Sequence, residues 1–137
     1  MAFKYLRTVN FADTDGAGVV FFANMLTFCH GAYEAALAAE GFNLQEFFSD
    51  RGAVILPIVA ADVKFYRPMY IGDHLEINLQ ARQTSDFEFE IDYQIYKVEN
   101  LDRALAKAST KHVCLDSKKR SRLKLTTEIQ AWLSKSS

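Results

Sequence analysis

Between residues 11 and 25 the chain reads FADTDGAGVVFFANM, with Asp13 and Asp15 two residues apart and Gly16 and Gly18 close behind. Lacking a Cβ, glycine admits positive φ and lets a ligand come near the backbone. The apolar residues after them open a helix, whose first N–H groups have no intrahelical acceptor and carry about half a positive charge. A carboxylate beside such amides meets both needs of acyl hydrolysis. Asp15 would attack a carbonyl or activate water, and the amides would hold the oxyanion. The same residues also suit an Asx turn and a helix cap with no chemistry, because Asp and Gly are the usual residues of loops. The local pattern leaves both readings open.

Other reactive residue types are present without a constellation. His30, His74 and His112 have no paired spacing and read as structural or surface groups, so no metal site is expected. Cys29 and His30 are neighbours on the expected helix and point in different directions, which excludes a nucleophile–base dyad. No nucleophilic-serine elbow, phosphate-binding glycine loop or dinucleotide fingerprint occurs. The run KKRSRLK at residues 118–124 is the one local concentration of charge, and a solvated tail is its plain reading. No aromatic residues interleave with it, which speaks against nucleic acid.

The elements that must position Asp15 can be read from periodicity. Residues 3–9 alternate weakly as a first strand, and residues 13–18 form a loop. From about residue 22 to residue 40 the apolar side chains recur every three or four positions, predicting a long alanine-rich helix stopped by Gly41. Asn43 is placed to cap a short second helix over residues 44–50. The period then becomes two: residues 55–65, 74–82 and 87–95 read as strands, with Pro57 near the start of the first. QTSD and ENLD supply hairpin connections. Residues 103–115 are alanine-rich but come after two antiparallel strands, and we read them as a further strand. A final short helix over residues 126–134 would present Ile129, Trp132 and Leu133 together. This is an α+β layer arrangement, one long helix against an antiparallel sheet.

With 137 residues, half of them hydrophobic, the chain suits a single domain spanning residues 1–137, its tail beginning near residue 117. The eleven phenylalanines point either to a rich core or to extra apolar surface used in oligomer contacts. A net charge of −1 gives no reason to expect nucleic acid or an acidic membrane as a partner. No secretory h-region is present and no apolar run approaches the roughly 18 residues needed to cross a bilayer. Cys29 and Cys114 then read as reduced thiols of a cytoplasmic domain.

The stretch ADTDGAGVVFFANML, with CHGAYEAAL on the helix and LPIVAADVKFYRPMYIGDHLEI after it, resembles the hotdog-fold acyl-CoA thioesterases of the 4-hydroxybenzoyl-CoA thioesterase type. The resemblance covers about residues 5–115, and its fuller run DTDGAGVV…CHxAYE is similar to members acting on 1,4-dihydroxy-2-naphthoyl-CoA in phylloquinone biosynthesis. It implies a hotdog fold, a long central helix wrapped by a curved antiparallel sheet, and hydrolysis of an aromatic acyl-CoA without metal or cofactor. By position, Asp15 would be the catalytic carboxylate, Asp13 a supporting loop residue and the Phe22 backbone N–H the oxyanion donor. CoA would run along the hairpin of Arg82, Thr84 and Ser85, where Arg82 is the only basic residue. Residues 118–124 offer further attraction for its phosphates. The acyl pocket would be apolar, lined by Phe21, Ile55, Pro57 and Val59. Another hotdog branch carries its acid on the central helix, but Glu34 lies about 12 residues into the expected helix, a turn too deep at roughly 3.6 residues per turn. The resemblance also implies a homo-oligomer, dimer or tetramer, with sites between subunits. The alternatives are a thioesterase for another aromatic or short-chain acyl-CoA and a non-catalytic acyl-CoA-binding module of the same fold.

Overall fold

The computed structural model describes residues 2–136. Strand β1 (Phe3–Thr8) leads through a 3-10 turn (Phe11–Asp13) and an irregular loop into helix α1 (Asn24–Glu40). A short helix α2 (Leu44–Phe47) precedes strands β2 (Val54–Ile55), β3 (Ile58–Phe65), β4 (His74–Gln83), β5 (Glu88–Lys97), β6 (Ala106–Val113) and β7 (Leu115–Asp116), and helix α3 (Thr127–Ser136) ends the chain. Five strands form one antiparallel sheet in the order β1-β4-β5-β6-β3, while β2 and β7 pair separately. The expected α+β arrangement is what the chain adopts.

Alternation decides which face is buried. Leu75, Ile77, Leu79 and Ala81 of β4 and Phe89, Ile91, Tyr93 and Ile95 of β5 all point into the core. Ala106 and Ala108 keep the β6 contribution thin. Helix α1 meets this surface with Met25, Phe28, Cys29, Ala32, Tyr33, Ala36 and Leu37. Its small residues allow close approach: a Cβ added at Gly31 would stand 3.2 Å from the Tyr5 hydroxyl. Gly41 ends the helix in the left-handed region at φ 100°, where glycine avoids the steric cost of a Cβ. Helix α3 closes one end of the sheet. Its Ser136 hydroxyl accepts the Ala81 N–H at 2.9 Å, beyond the last β1 residue paired with β4.

Several expected elements differ at their bounds. The strand over residues 55–65 is broken at Leu56–Pro57 into β2 and β3, and the β3–β6 register shifts between Ile58 and Ala60. Pro57 has no N–H to give a ladder, so pairing changes partner there. Residues 103–115 likewise divide, because the Cys114 N–H turns aside to the Phe87 carbonyl at 2.8 Å. Helix α1 starts at Asn24, two residues later than expected, since Phe22 and Ala23 lie in a turn. Asn43 caps α2 as expected, accepting the Glu46 N–H at 3.1 Å, but that helix ends at Phe47.

The inner face of β6 carries two polar residues, Thr110 and His112. His112 is wholly buried, stacked on Phe89 at 4.5 Å, and its Nε2 meets the Thr110 hydroxyl at 2.8 Å. Its Nδ1 and the Tyr33 hydroxyl have no partner among the described residues. Burial, with nearby His30 adding to it, pulls the imidazole down to about 3. An unfolded histidine titrates near 6.5, so within the window from about pH 6.5 to 3 the unfolded chain binds a proton that the folded chain refuses. Stability is therefore lost as pH falls through that window, by about 1.4 kcal/mol per pH unit from this group. Urea titrations of wild type and His112→Gln between pH 7 and 4 (roughly the window of that linkage) should show a shallower acid slope in the variant.

Candidate active site

The loop after β1 is organised by Asp13. Its carboxylate is almost wholly buried, accepting the Arg7 guanidinium at 2.9 Å and the Asn10 N–H at 2.8 Å. Arg7 itself lies over the Phe28 ring, 4.5 Å from its centroid, so the ion pair sits where strand, loop and helix meet. The Asp13 carbonyl accepts a further pair of bonds, from the Phe21 N–H and from the Asn24 side-chain amide, each at 2.9 Å.

Asp15 is exposed. Thr14 and Val20 form a bridge, the Asp15 N–H donates to the Val19 carbonyl at 2.9 Å, and Gly18 makes the return at φ 81°. One oxygen of the Asp15 carboxylate accepts the Ala17 N–H at 2.8 Å, which is the Asx turn expected of such residues. Its other oxygen has no partner among the described residues. The turn therefore fixes the side chain without consuming its acceptor capacity. Farther on, the Phe22 and Ala23 N–H groups also lack an acceptor among the described residues, although Phe21 and Asn24 on either side of them both donate.

Asp15, Phe21 and Phe22 line one cleft of about 430 Å³, together with Val19 and Val20. Its opposite wall is the end of β3 and the loop beyond it: Phe65, Tyr66, Arg67, Pro68 and Met69. The walls are tied by the Val20 N–H to the Met69 carbonyl at 2.8 Å and by a bridge between Val19 and Tyr70. Tyr66 and Arg67 both donate their N–H groups to the Leu105 carbonyl, which holds that wall to the sheet. A free carboxylate oxygen, a free amide and aromatic walls can bind a flat acyl group and attack its carbonyl carbon.

The remaining expected site residues lie elsewhere in the same chain. Ile55 is in β2, Pro57 comes just after it, and Val59 is near the start of β3, whereas the cleft is at the other end of that strand. Arg82 is engaged by Glu90 at 2.9 Å and Asp92 at 3.1 Å across to β5, so its charge is already matched. Thr84 and Ser85 donate their N–H groups to the Glu88 carbonyl, and the Ser85 hydroxyl accepts the Phe87 N–H, closing the hairpin. The basic run packs beside that hairpin: Arg122 faces Glu88 at 3.7 Å, and the Leu125 N–H reaches the Asp86 carbonyl. Glu34 meets His30 at 2.8 Å one turn away on α1 and does not line the cleft. Burial pushes the Cys29 thiol up to about 12, which leaves it a small hydrophobe. Sequence reasoning missed the wall from Phe65 to Met69. Its signal was FYRPM, aromatic side chains and a cation ahead of a proline at a strand end.

Comparison with known proteins bears on this arrangement. The model of the thioesterase-like superfamily matches residues 9–133. The chain is 50 % identical over 133 residues to the 1,4-dihydroxy-2-naphthoyl-CoA hydrolase of Trichodesmium erythraeum, covering 97 % of this chain and 96 % of that one. It is 48 % identical over 131 residues to the protein of the same name from Synechococcus elongatus, covering 96 % and 94 %. Among solved structures, a 1,4-dihydroxy-2-naphthoyl-CoA thioesterase from Synechocystis superposes with a TM-score of 0.91 at 40 % identity, over 98 % of this chain and 96 % of that one.

The geometry separates the aspartates by role. Asp13→Ala removes the acceptor of a partly buried guanidinium and of the Asn10 N–H, and should cost about 2–3 kcal/mol. Asp15→Ala, at an exposed turn, should cost less than about 1 kcal/mol. Urea denaturation of the two variants checks the contrast.

Proposed function

The chain belongs to the thioesterase-like superfamily, and from that premise we propose that it hydrolyses 1,4-dihydroxy-2-naphthoyl-CoA to the free acid and CoA. The observation that carries the reading is the coincidence in one aromatic cleft of an unpartnered Asp15 carboxylate oxygen and an unpartnered Phe22 amide. Attack on the thioester carbonyl moves charge onto its oxygen, which the Phe22 N–H would stabilise. As nucleophile, Asp15 would form an acyl anhydride, expelling the CoA thiolate, and water would then open it. As general base, it would deprotonate a water that adds directly. Both routes need the same two groups. The fused ring of the acyl group suits walls of Phe21, Phe22, Phe65 and Tyr66.

We extend the reading to assembly. Strand β3 is a sheet edge exposed along nearly its whole length, with Ile58, Val59 and Phe65 each more than 40 % accessible. A long apolar edge invites pairing with another chain. Antiparallel pairing of β3 with its copy would set the Ile58 end of one chain beside the Phe65 end of the other. The partner's Ile55, Pro57 and Val59 would then approach the cleft, which accounts for their distance from it within one chain. The partner's hairpin and basic run would come from the same side, where CoA phosphates need cations. A dimer, or a tetramer built from it, a place in phylloquinone formation and a cytoplasmic location belong to the same reading. Among the described residues, no helix is long and apolar enough to cross a membrane.

Asp15→Asn should lower kcat/KM for the naphthoyl thioester by about 10²–10⁴-fold while substrate binding persists. A wild-type preference for aliphatic over aromatic acyl-CoA in the same assay would refute the substrate. Ala61→Arg, in the middle of the exposed edge, should yield monomers by sedimentation and abolish turnover; a fully active monomer would refute the shared site.

A further inference from the structure

Asn24 is the first residue of α1, yet its side chain does not cap that helix; the residue at the cap position is Ala23, and no side-chain cap bond forms. Asparagine is also a poorer helix former than alanine by roughly half a kcal/mol. Its amide turns back toward the loop, where Nδ2 donates to the Asp13 carbonyl at 2.9 Å. That carbonyl also accepts the Phe21 N–H at 2.9 Å, and the Asn24 N–H donates to the Phe21 carbonyl at 2.9 Å. The three bonds form a closed ring through Asp13, Phe21 and Asn24. Its anchor is fixed from outside, because the Asp13 carboxylate is held by Arg7.

The Phe21 carbonyl and the Phe22 N–H belong to one planar peptide unit and point in opposite directions. Holding that carbonyl with the Asn24 N–H therefore sets the direction of the Phe22 N–H. The Phe22 carbonyl is held as well, by the Met25 N–H at 3.2 Å, so both peptide units flanking Phe22 are tied. The N–H groups of Phe22 and Ala23 are left without an acceptor among the described residues, and Phe22 lines the cleft that Asp15 shares.

We propose that Asn24 is a positioning residue for the thioester reaction: its side-chain amide closes the ring that aims the Phe22 N–H at the developing oxyanion. This rests on the thioesterase reading above. The residue touches no substrate and acts only through the peptide unit it orients. An alanine at this position keeps the helix but frees its first turn from the Asp13 carbonyl. Aspartate has nearly the same shape and opposes that carbonyl with a second acceptor. Both changes would loosen a donor needed in the transition state and leave the ground-state contacts in place.

The experiment compares wild type, Asn24→Ala and Asn24→Asp in steady-state hydrolysis of 1,4-dihydroxy-2-naphthoyl-CoA. Affinity for the non-hydrolysable thioether analogue of that substrate is measured by calorimetry, and melting temperature by circular dichroism. The expected result is a kcat lowered about 10–100-fold, less than loss of a whole oxyanion donor, with KM and analogue affinity within about twofold of wild type. Asn24→Asp should be at least as impaired as Asn24→Ala. In an Asp15→Asn background the Asn24→Ala loss should shrink, because the two residues serve one step. An unchanged kcat in both variants overturns the assignment. So does a loss in which analogue affinity and melting temperature fall in parallel with kcat, the signature of a merely structural role. If one variant does not fold, the other decides. A wild-type protein that hydrolyses no aromatic acyl-CoA defeats the functional reading itself, an outcome distinct from either failure of Asn24.

Discussion

The arrangement of the site depends on the burial of one carboxylate. A charged group removed from water must be matched at close range or it destabilises the fold. Asp13 is matched by Arg7, which reaches it from β1 while lying against Phe28 of α1. A strand, a loop and a helix are thereby referred to a single point. The Asp13 backbone extends this by accepting from both Phe21 and Asn24. The loop between Asp13 and α1 is consequently pinned at both ends, although much of residues 14–23 is exposed.

The layers behind that point are shaped by side-chain size. An alanine-rich helix can lie close to a sheet only where the sheet presents small residues or leaves gaps. Here Ala32 and Ala36 of α1 are buried with Ala106 and Ala108 of β6 in the same core. The bulk is supplied instead by Phe28, Tyr33, Phe89 and Tyr93. Tyr33 packs against His112, Phe89 and Trp132, joining helix, sheet and the C-terminal helix in one aromatic cluster. A rigid block of this kind lets the loop at its rim keep a defined shape without burying itself.

Periodicity made most of the fold legible, and the reasons for the exceptions are local. Strict alternation in β4 and β5 identified their inner faces, and both are buried as the pattern requires. The breaks at Pro57 and Cys114 were hidden because a strand that changes partner keeps its alternation. The site was legible only on the loop side. Asp15, Phe21 and Phe22 stand close in sequence, whereas Phe65 to Met69 reach the same cleft through pairing of residues about fifty positions apart. No pattern in one short window reports such a contact. Arg82 shows a second limit of the same kind: its ion pairs with Glu90 and Asp92 arise from the register of β4 on β5, which a single stretch of sequence does not report.

On the proposed reading, the two aspartates let one loop be both rigid and reactive. An acid that must attack or deprotonate needs solvent access and a spare oxygen, conditions that contribute little to stability. An acid that holds the loop needs burial and full pairing, which leave no oxygen for chemistry. A single residue cannot meet both sets of conditions. Two positions separated by Thr14 can, because the extended backbone at Thr14 carries the chain from the buried Asp13 to the exposed turn at Asp15. A spacing of two residues is thus enough to let one carboxylate face the core and the next line an open cleft.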